Sequence, residues 1–292
     1  MNLRKRSFLC LGLLGCLLSF GIYSSGYASD CEEILEGRHP LDSQLLEDLA
    51  NFPDQNMARE AYTYELFRRA GVPPSHIQTQ SVEARQGKFH NIFVLKPGRG
   101  NRTLIISAHH DVVGTGSKGI IDNAAAIFAL RDLYLDLKDV EMRHNFIFAI
   151  FALEEIGHPA GSEKYVKGLT EAQLSGIDAM LALECLAMDG NGTWDDAPEH
   201  LLQLFHRVAR RLKIRLKNWP APGYYGPYND SRPFINRGVP AISFFGLSSQ
   251  RTANQILHSR NDNMSAFSLS QYKENYRFLK EVVMKLDLLG TE

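Results

Sequence analysis

The stretch Asn145-Phe146-Ile147-Phe148-Ala149-Ile150-Phe151-Ala152-Leu153 is apolar from its second residue to its last and runs straight into Glu154-Glu155. Its Phe and Ile content reads as a strand over residues 145–153, and apolar residues at both odd and even positions bury both its faces. An earlier run, residues 103–108, leads into His109-His110-Asp111, and a later one, residues 177–183, leads into Glu184. Helical patterns alternate with these strands: residues 123–137, short helices after 153, and residues 199–212. A last strand over 241–245 precedes a helix over about 269–288. Upstream, two helices are expected over 41–51 and 56–70, the second stopping at Gly71 before Pro73-Pro74. A hairpin follows, with strands over 76–84 and 88–95 joined at Gln86-Gly87, which supplies antiparallel edge strands. The alternation specifies one α/β domain: a mixed, mainly parallel central sheet with helices on both faces.

The remaining composition is that of a globular chain. Of 292 residues, 44% are hydrophobic and 22% charged, enough apolar material for one core. With 32 basic against 33 acidic residues there is no long-range field to draw nucleic acid or an anionic membrane. The first segment differs from the rest. Arg4, Lys5 and Arg6 precede an apolar run from Phe8 to about Tyr23, then small residues at Gly26-Tyr27-Ala28, the pattern of a cleaved signal peptide over 1–28 with the folded domain over 29–292. Gly12, Gly15, Ser19 and Gly21 interrupt the run, which argues against a membrane anchor. Leu13-Leu14-Gly15-Cys16 looks like a lipobox, although apolar residues continue past Cys16. The expectation is an exported protein, periplasmic or secreted, with no membrane attachment unless Cys16 is lipidated. Cys31 and Cys185 remain after cleavage, too few for a disulfide framework.

In open α/β sheets ligands bind beyond the carboxyl ends of the strands. Here His109 and Asp111, then Glu154 and Glu155, then Glu184 stand at three such ends. Taken singly, each has an ordinary explanation: a Glu-Glu pair suits a solvated helix face, a lone acid suits a turn. Gathered at one end of one sheet, the acids would repel unless a cation neutralised them. Asp122, just before a helix, and His258, in a polar loop near the C-terminus, join them; with Asp111 set aside, the candidates are two histidines and three carboxylates with one further carboxylate over. Oxygen and imidazole donors without thiolate suit catalytic zinc.

In this order the residues resemble metallopeptidase family twenty-eight, which holds dizinc aminopeptidases, glutamate carboxypeptidases and, as close relatives, glutaminyl cyclases. His109-x-Asp111, Asp122-Asn123, Glu154-Glu155 with Gly161-Ser162, Glu184 and His258 carry the likeness, helped by Asn91-Ile92-Phe93, Asp230-Ser231-Arg232-Pro233-Phe234 and Gly238-Val239-Pro240. The resemblance implies a three-layer zinc-peptidase fold in which Asp122 bridges two zinc ions and is joined to Asn123 by a cis peptide. Glu155 and His258 would complete one zinc, His109 and Glu184 the other. Asp111 would orient His109, Glu154 would act as general base, and Tyr224, Tyr225 or Tyr228 would be candidate oxyanion donors. Glu184 stands where the family usually has Asp, although related dizinc peptidases use Glu there; Ala126 stands where Gly is common and Ser231 where His is common, so one working zinc is the alternative to two. The implied activity is aminopeptidase action on peptides with a free N-terminus. A single-zinc glutaminyl cyclase using Asp122, Glu155 and His258 competes with it, although such cyclases carry Trp before the ligand histidine and this chain has Leu257. A non-catalytic binding protein on the same fold is the third reading. Oligomeric state and side-chain preference have no signature in the chain.

Overall fold

The computed structural model describes residues 42–85, 87–114, 116–155, 158–221 and 229–289. The expected leader, Cys16, Cys31, Gln86 and the three tyrosines 224, 225 and 228 lie outside the described residues.

Helices α1 (Asp42–Ala50) and α2 (Asn56–Arg69) precede the hairpin of β1 (Ile77–Ala84) and β2 (Gly87–Lys96). Then come β3 (Thr103–His109), α3 (Ala125–Leu137), β4 (Asn145–Phe151), α4 (Ala160–Lys167), α5 (Glu171–Ser175) and β5 (Ile177–Glu184). The chain continues through β6 (Gly192–Trp194), α6 (Glu199–Leu212), β7 (Lys217–Trp219) and α7 (Arg232–Ile235). It closes with β8 (Ala241–Phe245), α8 (Gln250–Ile256) and α9 (Leu269–Leu289).

The strands of the described residues form one sheet in the order β1-β2-β4-β3-β5-β8-β6-β7. β4, β3, β5 and β8 run parallel, with Leu104 opposite Phe146, Leu104 opposite Ala179, and Leu181 opposite Ile242. The hairpin joins antiparallel, β2 against β4, so β1 alone is the edge on that side. Apart from the partly buried Ile147, every apolar side chain of these four strands is buried on one face or the other. Ile105, Ala149, Phe151, Met180 and Ala182 pack under Val166 of α4, Leu174 of α5 and Phe234 of α7. On the opposite face Phe148 meets Tyr134 of α3, and Phe244 meets Phe205 of α6 and Phe278 of α9. The result is helix–sheet–helix layering, the expected architecture. Among the described residues no helix is long and apolar enough to cross a membrane.

Three expectations need correction. β4 stops at Phe151 rather than 153, because Leu153 takes a left-handed φ of 61° and turns the chain. The helix expected from Asn123 starts at Ala125, since Asp122 and Asn123 hold non-helical angles in a π-type turn over Ile120–Ala124. β6 and β7, three residues each, extend the sheet past β8 where no strand was expected. At the other end of the sheet His144 is clasped between Asp287 of α9 and Asp178 of β5, and Arg102 also grips Asp178. That clasp pins the last turn of α9 under the strands.

Candidate metal centre

The three central parallel strands end side by side, so residues just past β3, β4 and β5 share one edge of the sheet. His109 is the last residue of β3 and is 1% exposed. Beyond it the chain loops to Asp122, whose peptide bond to Asn123 is cis. Asn123 ties this turn to the end of β5: its amide donates to the Leu183 carbonyl at 2.8 Å and to Glu184 Oε2 at 2.9 Å, and its Oδ1 accepts the Cys185 amide. Past β4, the amides of Glu154 and Glu155 donate to the two oxygens of Asp111, at 3.1 and 2.9 Å. His258 follows α8 with a left-handed φ of 55° and is the exposed member of the group.

The geometry divides into two donor sets that share Asp122. His109 Nε2 lies 3.1 Å from Asp122 Oδ1 and 3.6 Å from Glu184 Oε2. His258 Nε2 lies 2.9 Å from Glu155 Oε2 and 3.5 Å from Asp122 Oδ2. Within each set one ligand atom from every residue lies within 4.8 Å of the others, and Glu154 stands with His109 and Glu155 in a third such group. All five residues expected to bind metal are therefore brought together, with Glu154 beside them. Asp111 faces His109 Nδ1 through both its carbonyl, at 3.2 Å, and its carboxylate, at 3.7 Å, and the carboxylate also accepts the two glutamate amides.

The electrostatics of this cluster favour a bound cation. Burial and then the neighbouring carboxylates push Glu154 well above the usual glutamate range. Burial and Asp122 raise Glu155 to about 7. Burial also lifts Glu184, while His109 opposes the rise. Burial would lift Asp122 too, but hydrogen bonding to His109 and His258 outweighs it and holds Asp122 down. Contact with Asp122 and Glu155 raises His258 to about 10. The cluster thus balances its charge with protons on its histidines and on its raised glutamates, which a divalent ion can replace. Glu184 Oε1 is buried without a partner among the described residues, a free lone pair beside the His109–Asp122 set. Imidazole and carboxylate donors with this spacing fit zinc.

Four residues that sequence reasoning did not single out for a role also belong here. Asp230, fully buried, is driven far up by burial and Glu184; it lies in a segment that had signalled only family likeness. Asn91 accepts the Ala152 amide and donates to the Gly161 carbonyl, which fixes the chain entering and leaving the Glu154-Glu155 turn. Asp262 and Arg59 hold the Asp122 loop. The cleft above the donors has a volume of about 410 Å³, with Trp194, Trp219, Phe245, Leu247 and Leu257 forming much of the rest of its wall.

The sequence model of Peptidase family M28 matches residues 91–283. No curated protein sequence matches the chain. Among solved structures, a Bacillus subtilis zinc aminopeptidase superposes with a TM-score of 0.60 at 18% identity, covering 69% of this chain and 51% of the other. The chain therefore spans about half the length of that enzyme. A glutaminyl cyclase from an Acidobacteriales bacterium gives 0.73 at 14% identity, covering 85% of this chain and 94% of its own. The Legionella pneumophila LapA aminopeptidase gives 0.73 at 14%, covering 98% and 78%. At such identities the likeness is one of fold.

Proposed function

This chain belongs to Peptidase family M28, and we propose that it is a zinc-dependent aminopeptidase that hydrolyses the N-terminal residue from short unblocked peptides. The observation that carries the reading is the pair of donor sets sharing Asp122, with Glu154 standing beside both. His109, Asp122 and Glu184 would hold one zinc; Asp122, Glu155 and His258 would hold the other. Bound zinc supplies Lewis acidity at this position, acidifying water and polarising a carbonyl.

The protein's own groups do the rest. Glu154, whose amide is pinned by Asp111, offers a carboxylate of raised proton affinity to take a proton from water and return it to the departing amine. The concentration of acids around Asp122 and Glu155 suits a substrate ammonium, which favours a free N-terminus over a blocked one. The basic and then apolar N-terminal segment supports action outside the cytoplasm.

A second reading has its own support. The cyclase likeness covers 85% of this chain and 94% of the cyclase, against 78% of LapA. A cyclase expels ammonia from an N-terminal glutamine without cutting the chain, whereas a peptidase adds water across a bond. Zinc-loaded protein incubated with leucyl, phenylalanyl and glutaminyl peptides, free and N-acetylated, separates the two by mass spectrometry. Loss of N-terminal residues from the free peptides alone is expected. Loss of 17 Da from the glutaminyl peptide as the main product, roughly one ammonia, would replace the peptidase reading with the cyclase one.

A further inference from the structure

Arg59 of α2 is 0% exposed and, among the described residues, makes no side-chain ion pair at hydrogen-bond range; each of its bonds there runs to a main-chain carbonyl. Nε donates to the carbonyl of His110, the residue after His109. Nη1 donates to Lys118 at 3.0 Å and to Pro53 at 3.2 Å, and Nη2 donates to Gly119 at 3.1 Å. One planar fork therefore joins the chain leaving β3 to the loop that delivers Asp122. The fit is close, because a Cβ on Gly119, already at φ +58°, would come within 2.9 Å of Arg59 Nη1.

The same loop is held from its amide side by a second buried ion. Asp262, 0% exposed and four residues after His258, accepts the Ile121 amide at 2.7 Å, the Asp122 amide at 3.3 Å and the Ser117 hydroxyl at 3.2 Å. Its carbonyl accepts the Lys118 amide at 2.9 Å. Residues 117–122 are thus gripped through their carbonyls by Arg59 and through their N–H groups by Asp262. A buried guanidinium is costly, and it is retained where its rigid set of donors fits several acceptors at once, which lysine cannot do.

We propose that Arg59 and Asp262 form a clamp that positions Asp122 between its two donor sets and so sets the affinity of the centre for zinc. Arg59 is a positioning residue, since its hydrogen bonds go to main-chain carbonyls and not to the donor side chains. It also lies outside the segment matched by the family's sequence model. The inference rests on the metallopeptidase reading above, and its test uses no turnover.

The full chain is stripped of metal, and zinc dissociation constants are measured by competition with a chromophoric chelator. Wild type is compared with Arg59→Lys, Arg59→Met and Ser117→Ala, alongside thermal unfolding of the metal-free proteins. Loss of outer support for metal ligands weakens binding by roughly 10–100-fold, and both arginine variants should fall in that range. Ser117→Ala removes the hydroxyl's bond to the Asp262 carboxylate and its acceptance of the Gly119 amide, and leaves the buried charges in place; about 2–10-fold is expected. It remains readable if an arginine variant fails to fold. A lowered melting temperature with unchanged zinc affinity in the folded variants would make Arg59 merely structural and overturn the clamp. Wild-type affinity in Arg59→Lys, or tighter binding in Arg59→Met, would assign the effect to charge and overturn it equally. Should wild type bind no zinc, the metallopeptidase reading fails by itself. The clamp is then decided by amide exchange at Ile121 and Asp122, which must quicken in the variants relative to the core strands.

Discussion

Both ring nitrogens of His144 face carboxylate oxygens, Nδ1 at 3.0 Å from Asp287 and Nε2 at 2.8 Å from Asp178. A neutral imidazole has one N–H to give, so satisfying two ionised carboxylates requires the imidazolium. Burial opposes that charge, but the bonds to Asp287 and Asp178 outweigh it and raise the His144 pKa. Arg102 and then His144 on Asp178, and His144 with the His144 and Arg143 amides on Asp287, hold both aspartates below the usual carboxylate range against their own burial. The signs follow from linkage. His144 stabilises the fold fully below its unfolded pKa of about 6.5, and this contribution fades as pH rises through the higher folded value. The aspartates contribute above about 4 and lose their contribution as pH falls through their lowered values. The clasp is therefore strongest between roughly pH 4 and 6.5.

His144→Gln tests this. The bond to Asp287, where both side chains are nearly sealed, is worth about 3 kcal/mol; the bond to Asp178, a quarter exposed, nearer 1.5 kcal/mol. The glutamine amide recovers about 1 kcal/mol, which leaves a loss of roughly 3.5 kcal/mol near pH 6. For a domain of this size that lowers the melting temperature by about 7–14 °C. Thermal unfolding followed by circular dichroism at pH 5.5, 7.5 and 9 is the assay, run with chelator so that metal linkage does not intrude. The gap between wild type and variant should be widest at pH 5.5 and narrow toward pH 9. A gap that is constant or grows with pH would mean that the ring is neutral and one aspartate carries the proton, which refutes the assignment.

The remaining predictions concern the centre. Glu154→Gln should retain fold and zinc while turnover falls by roughly 10²–10⁴-fold; near wild-type turnover would remove Glu154 from the acid–base role. Purified protein dialysed without chelator should hold close to two zinc ions by elemental analysis, and Glu184→Ala should lose one of them with most of the activity. If that variant keeps its activity, one zinc suffices and the cyclase reading gains. Gly161→Ala would place a Cβ 2.3 Å from the Ala152 carbonyl and 2.5 Å from Asn91 Oδ1. It should cost about 1–3 kcal/mol in urea denaturation and depress activity by shifting the turn that carries Glu154 and Glu155.

What could be read along the chain was whatever depends on local pattern. The runs ending in His109, Glu155 and Glu184 are apolar on both faces, so their strand nature and their burial are written in consecutive residues. β6 and β7 have no such record: each is three residues long, and they exist because β8 offers an unpaired edge at Phe244 and Phe245 for β6, which β7 then joins. The end of β4 was misplaced for a related reason. Ala152 and Leu153 continue the apolar run, yet the Leu153 turn is imposed by Asn91 and Asp111 reaching over from other segments.

The site divides along the same line. Histidines and carboxylates announce themselves by type, and their place at strand ends gave them a common address. The residues that aim them do not announce themselves. Asn123 looks like an ordinary residue near a helix start, and its work of joining the Asp122 turn to Glu184 is visible only when β5 lies alongside. Asp262 reads as one more polar loop residue until its oxygens are found on the Ile121 and Asp122 amides, well over a hundred residues away in sequence. Arg59 is the extreme case. On α2, a helix with buried and exposed positions alike, an arginine is expected to lie on the solvent side. Its burial becomes favourable only because four carbonyls from three separate stretches converge on it. Such convergence is a property of the tertiary structure, so the ligands of the proposed centre were legible in the sequence while the devices that position them were not.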